Sequence, residues 1–293
     1  MTTAAVLGTG RMGSAMAERL AGQGVPVVVY NRTADRAKAL AERIGASTAG
    51  TPAEAASRGD VVITMVADDA AVRELFDGSD GIAAGVRGGA VVVDMSTVLP
   101  DTVRAVAPAV RERGAAILDG PVSGSVTSTL AGELTIMVGG EADDLERARP
   151  ILDRLARRVF HLGPLGSGAV MKLAVNTLIF GLNGAVAEGL VLAERNGIDR
   201  ALAYEVLASS AAGAPMVGYK RTHFVEPESA PVAFSLALAD KDLRLIGELA
   251  AATATPMPQA TVNLATIQAA ERSIGENADF AQVASHLRQE GRR

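Results

Sequence analysis

The chain has 293 residues, of which 48% are hydrophobic, 21% charged and 3% aromatic. This length predicts about two domains, and so large a hydrophobic share excludes a disordered or collagen-like protein. The formal net charge of −5 lacks the basic surplus of a nucleic-acid-binding protein. The chain has no cysteine, which excludes disulfides and thiolate catalysis, and its three histidines lie far apart, so that no metal site is expected.

The first half of the chain alternates short apolar runs with amphipathic segments. Because the apolar runs are apolar on both faces, the alternation predicts a parallel sheet that is covered by helices on both sides. We predict strands at residues 4–8, 25–30, 61–66, 90–94, 115–118 and 134–138, and helices at residues 12–22, 34–44, 52–58, 69–76, 101–113 and 142–156.

The pattern changes at residues 163–168, a glycine-rich segment that is typical of a loop. The sequence therefore predicts an α/β domain over residues 1–163 and an all-helical domain over residues 164–293. In the second domain the periodicity predicts helices at residues 169–195, 198–210, 234–252, 257–275 and 277–289.

Residues 169–193 are largely apolar, which raises the question of a membrane span. A spanning helix rarely carries several polar side chains, so we predict instead a helix that is buried in a protein core or a subunit interface. An apolar run begins within the first few residues, which predicts no signal peptide and a cytoplasmic protein. The polar residues that interrupt the long run are Lys172, Asn176, Asn183 and Glu188.

A glycine motif lies between the first predicted strand and the first predicted helix. In this context a G-x-G-x-x-G pattern is typical of dinucleotide binding, because the tight turn, the close approach of the backbone and the packing of the helix each require a glycine. The helix N-terminus then offers free N–H groups to a pyrophosphate. An ordinary glycine turn is the alternative. The motif reads Gly8-Thr9-Gly10-Arg11-Met12-Gly13.

The segment Asn31-Arg32-Thr33 follows the second predicted strand, where nicotinamide enzymes recognise the ribose. An acid there would bind the 2′-hydroxyl of NAD, but none occurs before Asp35. The guanidinium of Arg32, with Asn31 and Thr33 as further donors, suits the 2′-phosphate of NADP instead. We therefore predict NADP(H) over NAD(H). The alternative is that Arg32 only stacks on the adenine.

A polar stripe runs along the long apolar helix. Lys172 and Asn176 lie one turn apart, Asn183 lies about three turns beyond Lys172, and Gly168 leaves a gap one turn before it. A lysine is costly to bury without a partner, so this one suggests a functional site in which it exchanges a proton with a substrate oxygen. Asn176 could position the lysine or bind that oxygen. The alternative is a structural lysine that pairs with an acid across a domain interface.

Two further segments follow predicted strands, at the sheet edge where α/β proteins bind ligands. Ser96 and Thr97 are placed to bind the nicotinamide or the substrate. The segment Ser123-Gly124-Ser125 offers backbone N–H groups that suit a carboxylate. For each serine the alternative is a helix cap or a turn. The charges of residues 240–242 could simply form a solvated helix face.

These motifs together resemble the β-hydroxyacid dehydrogenase family, whose members include 3-hydroxyisobutyrate dehydrogenases and glyoxylate/succinic semialdehyde reductases. The resemblance covers nearly the whole chain. It depends on five motifs in the family's order: Gly8-x-Gly10-x-Met12-Gly13-x-x-Met16-Ala17, Asp94-x-Ser96-Thr97-x-x-Pro100, Asp119-x-Pro121-Val122-Ser123-Gly124, Gly166-x-Gly168-x-x-x-Lys172-x-x-x-Asn176 and Lys241-Asp242-Leu243.

The resemblance implies a Rossmann-like domain and a helical domain that are joined by a long helix, with the active site between them and dimers or tetramers formed through the helical domain. It implies that Lys172 is the catalytic acid and base and that Asn176 binds the substrate. The substrate carboxylate is expected at Ser123, Gly124 and Ser125. The resemblance implies a cofactor site formed by Gly8, Gly10, Arg11, Met12, Gly13, Asn31, Arg32, Thr33, Val66, Ala67, Asp68, Val72, Ser96, Thr97, Phe234 and Lys241.

The sequence departs from the family pattern in the expected carboxylate loop. Ser125 stands where the family often has a second glycine, Ser128-Thr129 stands where it has Gly-Ala, and Glu133 replaces a threonine. We therefore expect an NADPH-dependent reductase of a small aldehyde or keto acid, or a dehydrogenase of a β-hydroxy acid in reverse. The alternatives are an imine or ketone reductase of the same superfamily and a non-catalytic NADP-binding regulator. We expect no membrane or nucleic-acid partner.

Overall fold

The computed structural model describes residues 2–290. By compactness the chain divides after Lys172 into two units, and this division falls inside a helix. The domain boundary that we predict at residue 163 lies in a loop and stays a prediction. The outer ends of the two predicted domains, residue 1 and residues 291–293, lie outside the described residues.

Six strands of the first unit form one parallel sheet. They are β1 (Ala4–Leu7), β2 (Val27–Tyr30), β3 (Ser47–Thr48), β4 (Val61–Thr64), β5 (Val91–Asp94) and β6 (Ala116–Asp119). Their order across the sheet is β3-β2-β1-β4-β5-β6, so the direction of winding reverses between β1 and β4. In open α/β sheets such a reversal marks the crevice at the carboxyl ends of the strands where ligands bind.

Both faces of this sheet are covered, as the apolar strands require. In β1, Ala4 and Val6 pack in the core on one face, while Ala5 and Leu7 pack in the core on the other. The predicted two-sided parallel sheet is therefore confirmed. The covering helices include α1 (Arg11–Gly22), α2 (Ala34–Ile44), α3 (Pro52–Arg58), α4 (Asp69–Phe76), α5 (Ile82–Gly85) and α6 (Pro100–Glu112).

A second sheet of three strands completes the first unit. It consists of β7 (Val122–Ser123), β8 (Leu134–Val138) and β9 (Ala156–His161), with α7 (Val126–Ala131) and α8 (Ala142–Leu155) between them. The strand β7 is antiparallel to β8, and β8 is parallel to β9. The strand predicted at residues 134–138 is thus correct in its limits but belongs to this separate sheet.

The second unit is helical. The helix α9 (Ser167–Arg195) begins in the first unit and continues into the second. Two short elements, Pro215–Tyr219 and Arg221–Val225, are absent from the sequence prediction because one turn of helix shows no periodicity. The remaining helices are α10 (Arg200–Ser209), α11 (Pro215–Tyr219), α12 (Arg221–Val225), α13 (Leu236–Ala252), α14 (Pro258–Ile274) and α15 (Val283–Glu290), the last preceded by a 3-10 turn at Phe280–Gln282.

A buried ion pair holds the middle of the second unit. Lys220 Nζ lies 2.7 and 2.8 Å from the two carboxylate oxygens of Asp279, and it lies 4.6 Å from the centre of the Phe280 ring. Asp279 also accepts the backbone N–H groups of Ala233 and Phe234. These contacts compensate for the burial of both charges and fix the segment that leads into α13.

Candidate nucleotide and substrate site

The three motif glycines serve different purposes. Gly8 has a φ of +98°, and a Cβ there would lie 2.3 Å from the backbone oxygen of Met65. A Cβ on Gly13 would lie 1.9 Å from the backbone oxygen of Gly8. A Cβ on Gly10 would meet no atom of the described residues within 4 Å. Gly8 and Gly13 are therefore required by the turn and its packing, whereas Gly10 keeps an approach to the backbone open.

The N-terminus of α1 fits an anion. Gly10 precedes the helix and has no side chain with which to cap it, and no acid lies in the first turn. The amide groups and the positive end of the helix dipole therefore suit a pyrophosphate. Arg11, at the first helical position, is exposed, and Met12 is half-buried. The residues present thus fit the diphosphate of a dinucleotide.

The segment after β2 is tied to the glycine turn. Asn31 Oδ1 accepts the backbone N–H of Thr9 at 3.1 Å, and Asn31 Nδ2 donates to the backbone oxygen of Thr33 at 3.1 Å. Arg32 is 80% exposed at its side chain and contacts Glu74 at 3.1 Å. An ion pair this exposed is weak, so the guanidinium can be redirected to a phosphate at little cost. Asn31 positions the turn, and Arg32 and Thr33 are exposed beside it.

The loop after β4 contributes unevenly. Val66 and Asp68 are half-buried and Ala67 is exposed. The Asp68 carboxylate accepts the N–H of Ala71 at 2.8 Å and so caps α4. Val72, which the resemblance implies near the nucleotide, is fully buried in the core. The structure gives Val72 a packing role and does not bring its side chain to a surface that a nucleotide could reach.

Asp94 and Ser96, after β5, form a buried hydrogen-bonded chain. Thr64 Oγ1 and Ser96 Oγ donate to Asp94 Oδ1 at 2.6 and 2.8 Å, and Ser96 Oγ accepts the backbone N–H of Val66 at 3.1 Å. Burial raises the pKa of Asp94 to about 6, although the two hydroxyl hydrogen bonds lower it. Ser96 is 1% exposed and already holds the Val66 loop. The half-buried Thr97 is better placed than Ser96 to contact a ligand.

The expected carboxylate loop begins with β7 and is shaped by a cap. Ser125 Oγ accepts the N–H of Ser128 at 3.2 Å and caps α7, which is the alternative role that the sequence left open. Gly124 has a φ of +148°, and a Cβ there would lie 2.6 Å from Leu134. Ser123 is half-buried, and Gly124 is exposed. Ser123 and Gly124 therefore present an open backbone, while Ser125 is used to begin α7.

Asp119, at the end of β6, holds the start of α9. Its two carboxylate oxygens accept the backbone N–H groups of Gly166 and Ala169, both at 2.7 Å. A Cβ on Gly168 would lie 2.2 Å from the Met137 backbone oxygen, so this glycine permits close packing and leaves no gap for a substrate. Burial raises the pKa of Asp119, and the backbone hydrogen bonds lower it. The sequence analysis included Asp119 in a motif but did not predict this role. The feature that could have indicated the role is a carboxylate at the end of an apolar strand.

Lys172 lies one turn beyond Ala169, in the part of α9 that Asp119 anchors to the carboxyl edge of the sheet. Its side chain is half-buried. Asn176 follows one turn later on the same face of α9, as the spacing predicts. The lysine of the polar stripe is therefore carried by a helix whose first turn is fixed to the end of β6.

Within the second unit, Asn176 forms a hydrogen bond with Asp242, for which the sequence analysis considered a solvated helix face. Asn176 Nδ2 donates to Asp242 Oδ2 at 2.7 Å, and Lys241 Nζ lies 2.7 Å from Asp242 Oδ1. Asp242 is 2% exposed, so the solvated-face interpretation is wrong for this residue. Lys241 is 23% exposed at its side chain. The structure thus brings Asn176 and Lys241 together through a residue that the sequence analysis did not select.

Two other predicted residues lie in an aromatic cluster of the second unit. Phe234 packs against Phe180 and Phe280 with ring centres 6.3 and 5.5 Å apart. Asn183, the last member of the polar stripe, donates to the backbone oxygen of Phe280 at 3.1 Å and is 2% exposed. Asn183 therefore has a structural hydrogen bond. Of the polar stripe, Lys172 and Asn176 remain the candidates for a functional role.

Within residues 2–290 no group of acids and histidines could hold a metal ion. In the same range α9 is the one helix that is long and apolar enough to cross a membrane, which is weak evidence because core helices of soluble proteins pass the same test. The predicted cytoplasmic location stays a prediction.

The reversed strand order and the glycine turn before α1 define a Rossmann-type dinucleotide-binding protein. Residues 3–163 match the family model of the NAD-binding domain of 6-phosphogluconate dehydrogenase, and residues 166–287 match that of the NAD-binding of NADP-dependent 3-hydroxyisobutyrate dehydrogenase. The chain belongs to the β-hydroxyacid dehydrogenase family, as its motifs predict. It is a nicotinamide-dependent dehydrogenase or reductase that acts on CH–OH groups.

Relatives of known name match nearly the whole chain. A 3-hydroxyisobutyrate dehydrogenase of Pseudomonas aeruginosa is 35% identical, with 97% of each chain covered. An NAD-dependent L-serine dehydrogenase of the same species is 34% identical, again with 97% of each chain covered. Glyoxylate/succinic semialdehyde reductase 2 of Arabidopsis thaliana is 32% identical over 96% of this chain and 78% of that one.

Solved structures agree with this assignment. A Mycobacterium tuberculosis 3-hydroxyisobutyrate dehydrogenase, solved with L-serine, has a TM-score of 0.85 and 31% identity, with 98% of this chain and 99% of that chain covered. An imine reductase of Pseudomonas sp. has a TM-score of 0.65 and 22% identity, with 98% and 99% covered. The second likeness shows the fold alone.

Proposed function

We propose that the protein is an NADP(H)-dependent reductase of a small aldehyde or keto acid, and a dehydrogenase of the matching β-hydroxy acid in reverse. The observation that carries this proposal is the anchoring of α9 by Asp119. It fixes the helix that bears Lys172 to the sheet edge where the dinucleotide fits. A bound nicotinamide would supply a hydride to the carbonyl carbon or accept one from the alcohol carbon.

Lys172 acts as the acid and base in this proposal. Its ammonium donates a proton to the substrate oxygen during reduction, and the neutral amine takes the proton back during oxidation. Asn176 is fixed by its hydrogen bond to Asp242, so its amide is held in one orientation one turn from the lysine. A rigid amide beside the proton donor is suited to orient the substrate oxygen.

The choice of NADP(H) is supported by the surroundings of Arg32. Its exposed guanidinium forms a weak surface ion pair with Glu74, which a doubly charged phosphate would replace. No acid follows β2 before Asp35, so the usual acceptor for the ribose 2′-hydroxyl of NAD is missing. The model of the NADP-dependent family over residues 166–287 is consistent with this choice.

The proposed substrate carries a carboxylate. Ser123 and the exposed backbone of Gly124 follow the carboxyl edge of β6 and form the part of this loop that stays accessible. Backbone N–H groups and a hydroxyl are a suitable cradle for a carboxylate. The names of the relatives, which act on hydroxyisobutyrate, serine or semialdehydes, point to the same class of small acids.

A substrate panel with the Lys172→Ala variant tests this proposal. The panel contains glyoxylate, succinic semialdehyde, methylmalonate semialdehyde and cyclic imines, and NADPH oxidation is followed by absorbance. We expect turnover of an aldehyde acid and a loss of about 10²–10⁴-fold in kcat in Lys172→Ala, while NADPH still binds. Lys38→Ala, at an exposed helical lysine, is the control. Turnover of imines alone, or normal turnover by Lys172→Ala, would contradict the proposal.

We also propose that the helical domain forms a homodimer or a homotetramer. Support comes from large apolar side chains that are exposed in the second unit: Leu178 and Leu192 on α9 are 73% and 67% exposed, and Val262 on α14 is 56% exposed. Exposed apolar patches are typical of interaction surfaces. Light scattering after size exclusion measures the mass, and a monomer at micromolar concentration would contradict this assembly.

A further inference from the structure

Two aspartates end neighbouring strands at the carboxyl edge of the parallel sheet. Asp94 ends β5 and Asp119 ends β6, and the two residues are paired in the register of the sheet. Both are 1% exposed. The backbone also joins them, because the N–H of Gly120 donates to the backbone oxygen of Asp94 at 2.7 Å. Two buried carboxylates side by side repel each other, so specific hydrogen bonds must stabilise each of them.

Asp94 is connected to the loop beside the glycine turn. The Asp94 carboxylate orients the Ser96 hydroxyl by accepting a hydrogen bond from it, and the same hydroxyl oxygen accepts a hydrogen bond from the N–H of Val66. This loop packs directly against Gly8, because a Cβ on Gly8 would overlap the Met65 backbone. A shift of residues 65–66 would therefore disturb the turn that faces the diphosphate.

Asp119 is connected to the other side of the proposed site. Its oxygens accept the N–H groups of Gly166 and Ala169, which lie on either side of the first residue of α9. Lys172 lies one turn further along this helix. Any rotation or unwinding of the first turn would therefore displace the lysine relative to the sheet edge.

We propose that Asp94 and Asp119 are a pair of positioning residues, of which Asp94 holds the nucleotide loop and Asp119 holds the start of the helix that carries Lys172. This inference rests on the proposed function, because it assigns the loop to the cofactor and the helix to the acid and base. Neither aspartate touches substrate or cofactor in this role. The pair sets the spacing between the nucleotide and the proton donor through adjacent positions of one rigid sheet.

The two carboxylates differ in what a neutral substitute can replace. Asp94 uses Oδ1 for both hydroxyl protons, while its Oδ2 meets no partner among the described residues. Asn at position 94 keeps one acceptor oxygen and therefore preserves the tether. Asp119 uses both oxygens to accept backbone N–H groups. Asn at position 119 would turn an NH₂ group toward a backbone N–H and break one hydrogen bond.

The experiment compares Asp94→Ala, Asp94→Asn and Asp119→Asn in the full chain, with Asp101→Asn as the control at an exposed aspartate in the first turn of α6. Amide hydrogen exchange of peptides that cover residues 64–72 and 163–172 is measured by mass spectrometry. The dissociation constant of NADPH is measured from its fluorescence. The kcat is measured with the substrate that the panel identifies.

We expect Asp94→Ala to speed exchange in residues 64–72 and to weaken NADPH binding about tenfold, and Asp94→Asn to restore both. We expect Asp119→Asn to speed exchange in residues 163–172 and to lower kcat at least about tenfold, with NADPH affinity within about twofold of the wild type. Uniform acceleration of exchange in both peptides, or failure of Asp94→Asn to rescue, would overturn the inference. Exchange and NADPH binding decide it even if the panel refutes the proposed reaction.

Discussion

Asn176 and Asp242 join α9 to α13 by a buried hydrogen bond of 2.7 Å between Asn176 Nδ2 and Asp242 Oδ2. The other oxygen of Asp242 lies 2.7 Å from Lys241 Nζ. Asp242 thus holds the amide of Asn176, which lies one turn after the proposed acid and base. It also restrains Lys241, which the family resemblance assigns to the cofactor site. A single buried carboxylate therefore orders two of the proposed site residues.

Replacement of Asp242 tests whether this order matters. We expect Asp242→Ala to lower kcat/KM at least about tenfold, because the buried Asn176 amide loses its acceptor. Asp242→Asn keeps an acceptor oxygen and should lose less. Steady-state kinetics with saturating NADPH measure the effect, and Glu248→Ala, at an exposed position of the same helix, is the control. Equal losses in Asp242→Ala and Glu248→Ala would contradict the prediction.

Replacement of Arg32 tests the preference for NADP(H). Arg32→Ala should raise the KM for NADPH at least about tenfold and leave the KM for NADH within about twofold, because only the 2′-phosphate needs the guanidinium. Arg36→Ala, at an exposed position in the first turns of α2, is the matched control. Equal effects on the two cofactors would show that Arg32 contacts the adenine or has no direct role.

The glycines of the turn separate binding from stability. Gly10→Ala should leave the thermal midpoint within about 2 °C of the wild type, because a Cβ there meets no atom of the described residues within 4 Å. The same variant should weaken NADPH binding at least about tenfold, because the diphosphate needs that space. Gly13→Ala should lower the midpoint, since its Cβ would overlap the Gly8 oxygen. Gly22→Ala, in the last turn of α1, is the control. Unchanged NADPH affinity in Gly10→Ala would refute the assignment.

The buried Asp94 carboxyl predicts a pH dependence of stability. Its pKa rises from 3.8 to about 6 on folding, because burial disfavours the charge. The folded state therefore binds a proton more tightly than the unfolded state, and this group's contribution to stability falls as pH rises from about 4 to about 6, by at most about 3 kcal/mol. Asp94→Asn removes this loss, so its thermal midpoint relative to the wild type should be higher at pH 8 than at pH 4.5. The same difference at both pH values would contradict the prediction.

Most of the first unit could be predicted from the sequence because its long elements carry strong patterns. The helices α2, α3 and α4 have the limits that the sequence pattern predicts, and α6 begins at Pro100, one residue before its predicted start. The elements missed in this unit are β3, β7, β9, α5 and α7, which have two to six residues. Elements this short show no period and form because neighbouring structure supplies their hydrogen bonds.

The motifs of the candidate site could be selected from the sequence, but the hydrogen bonds that connect them could not. The glycine spacing, the position of Arg32 after the second strand and the one-turn step from Lys172 to Asn176 are local properties that a sequence pattern encodes. Asp94, Asp119 and Asp242 are aspartates within quoted motifs, and their use became clear only from their partners. Those partners lie 30, 50 and 66 residues away in the chain.

The sequence by itself determined the alternating strands and helices, the nucleotide turn and the family, because each depends on residue type at short, regular spacing. The tertiary structure decided that Ser96 supports a loop, that Ser125 begins a helix, that Gly168 permits close packing and that Val72 belongs to the core. Burial and hydrogen-bond partners between distant segments depend on how the strands are ordered across the sheet and how helices pack. No local pattern contains that information.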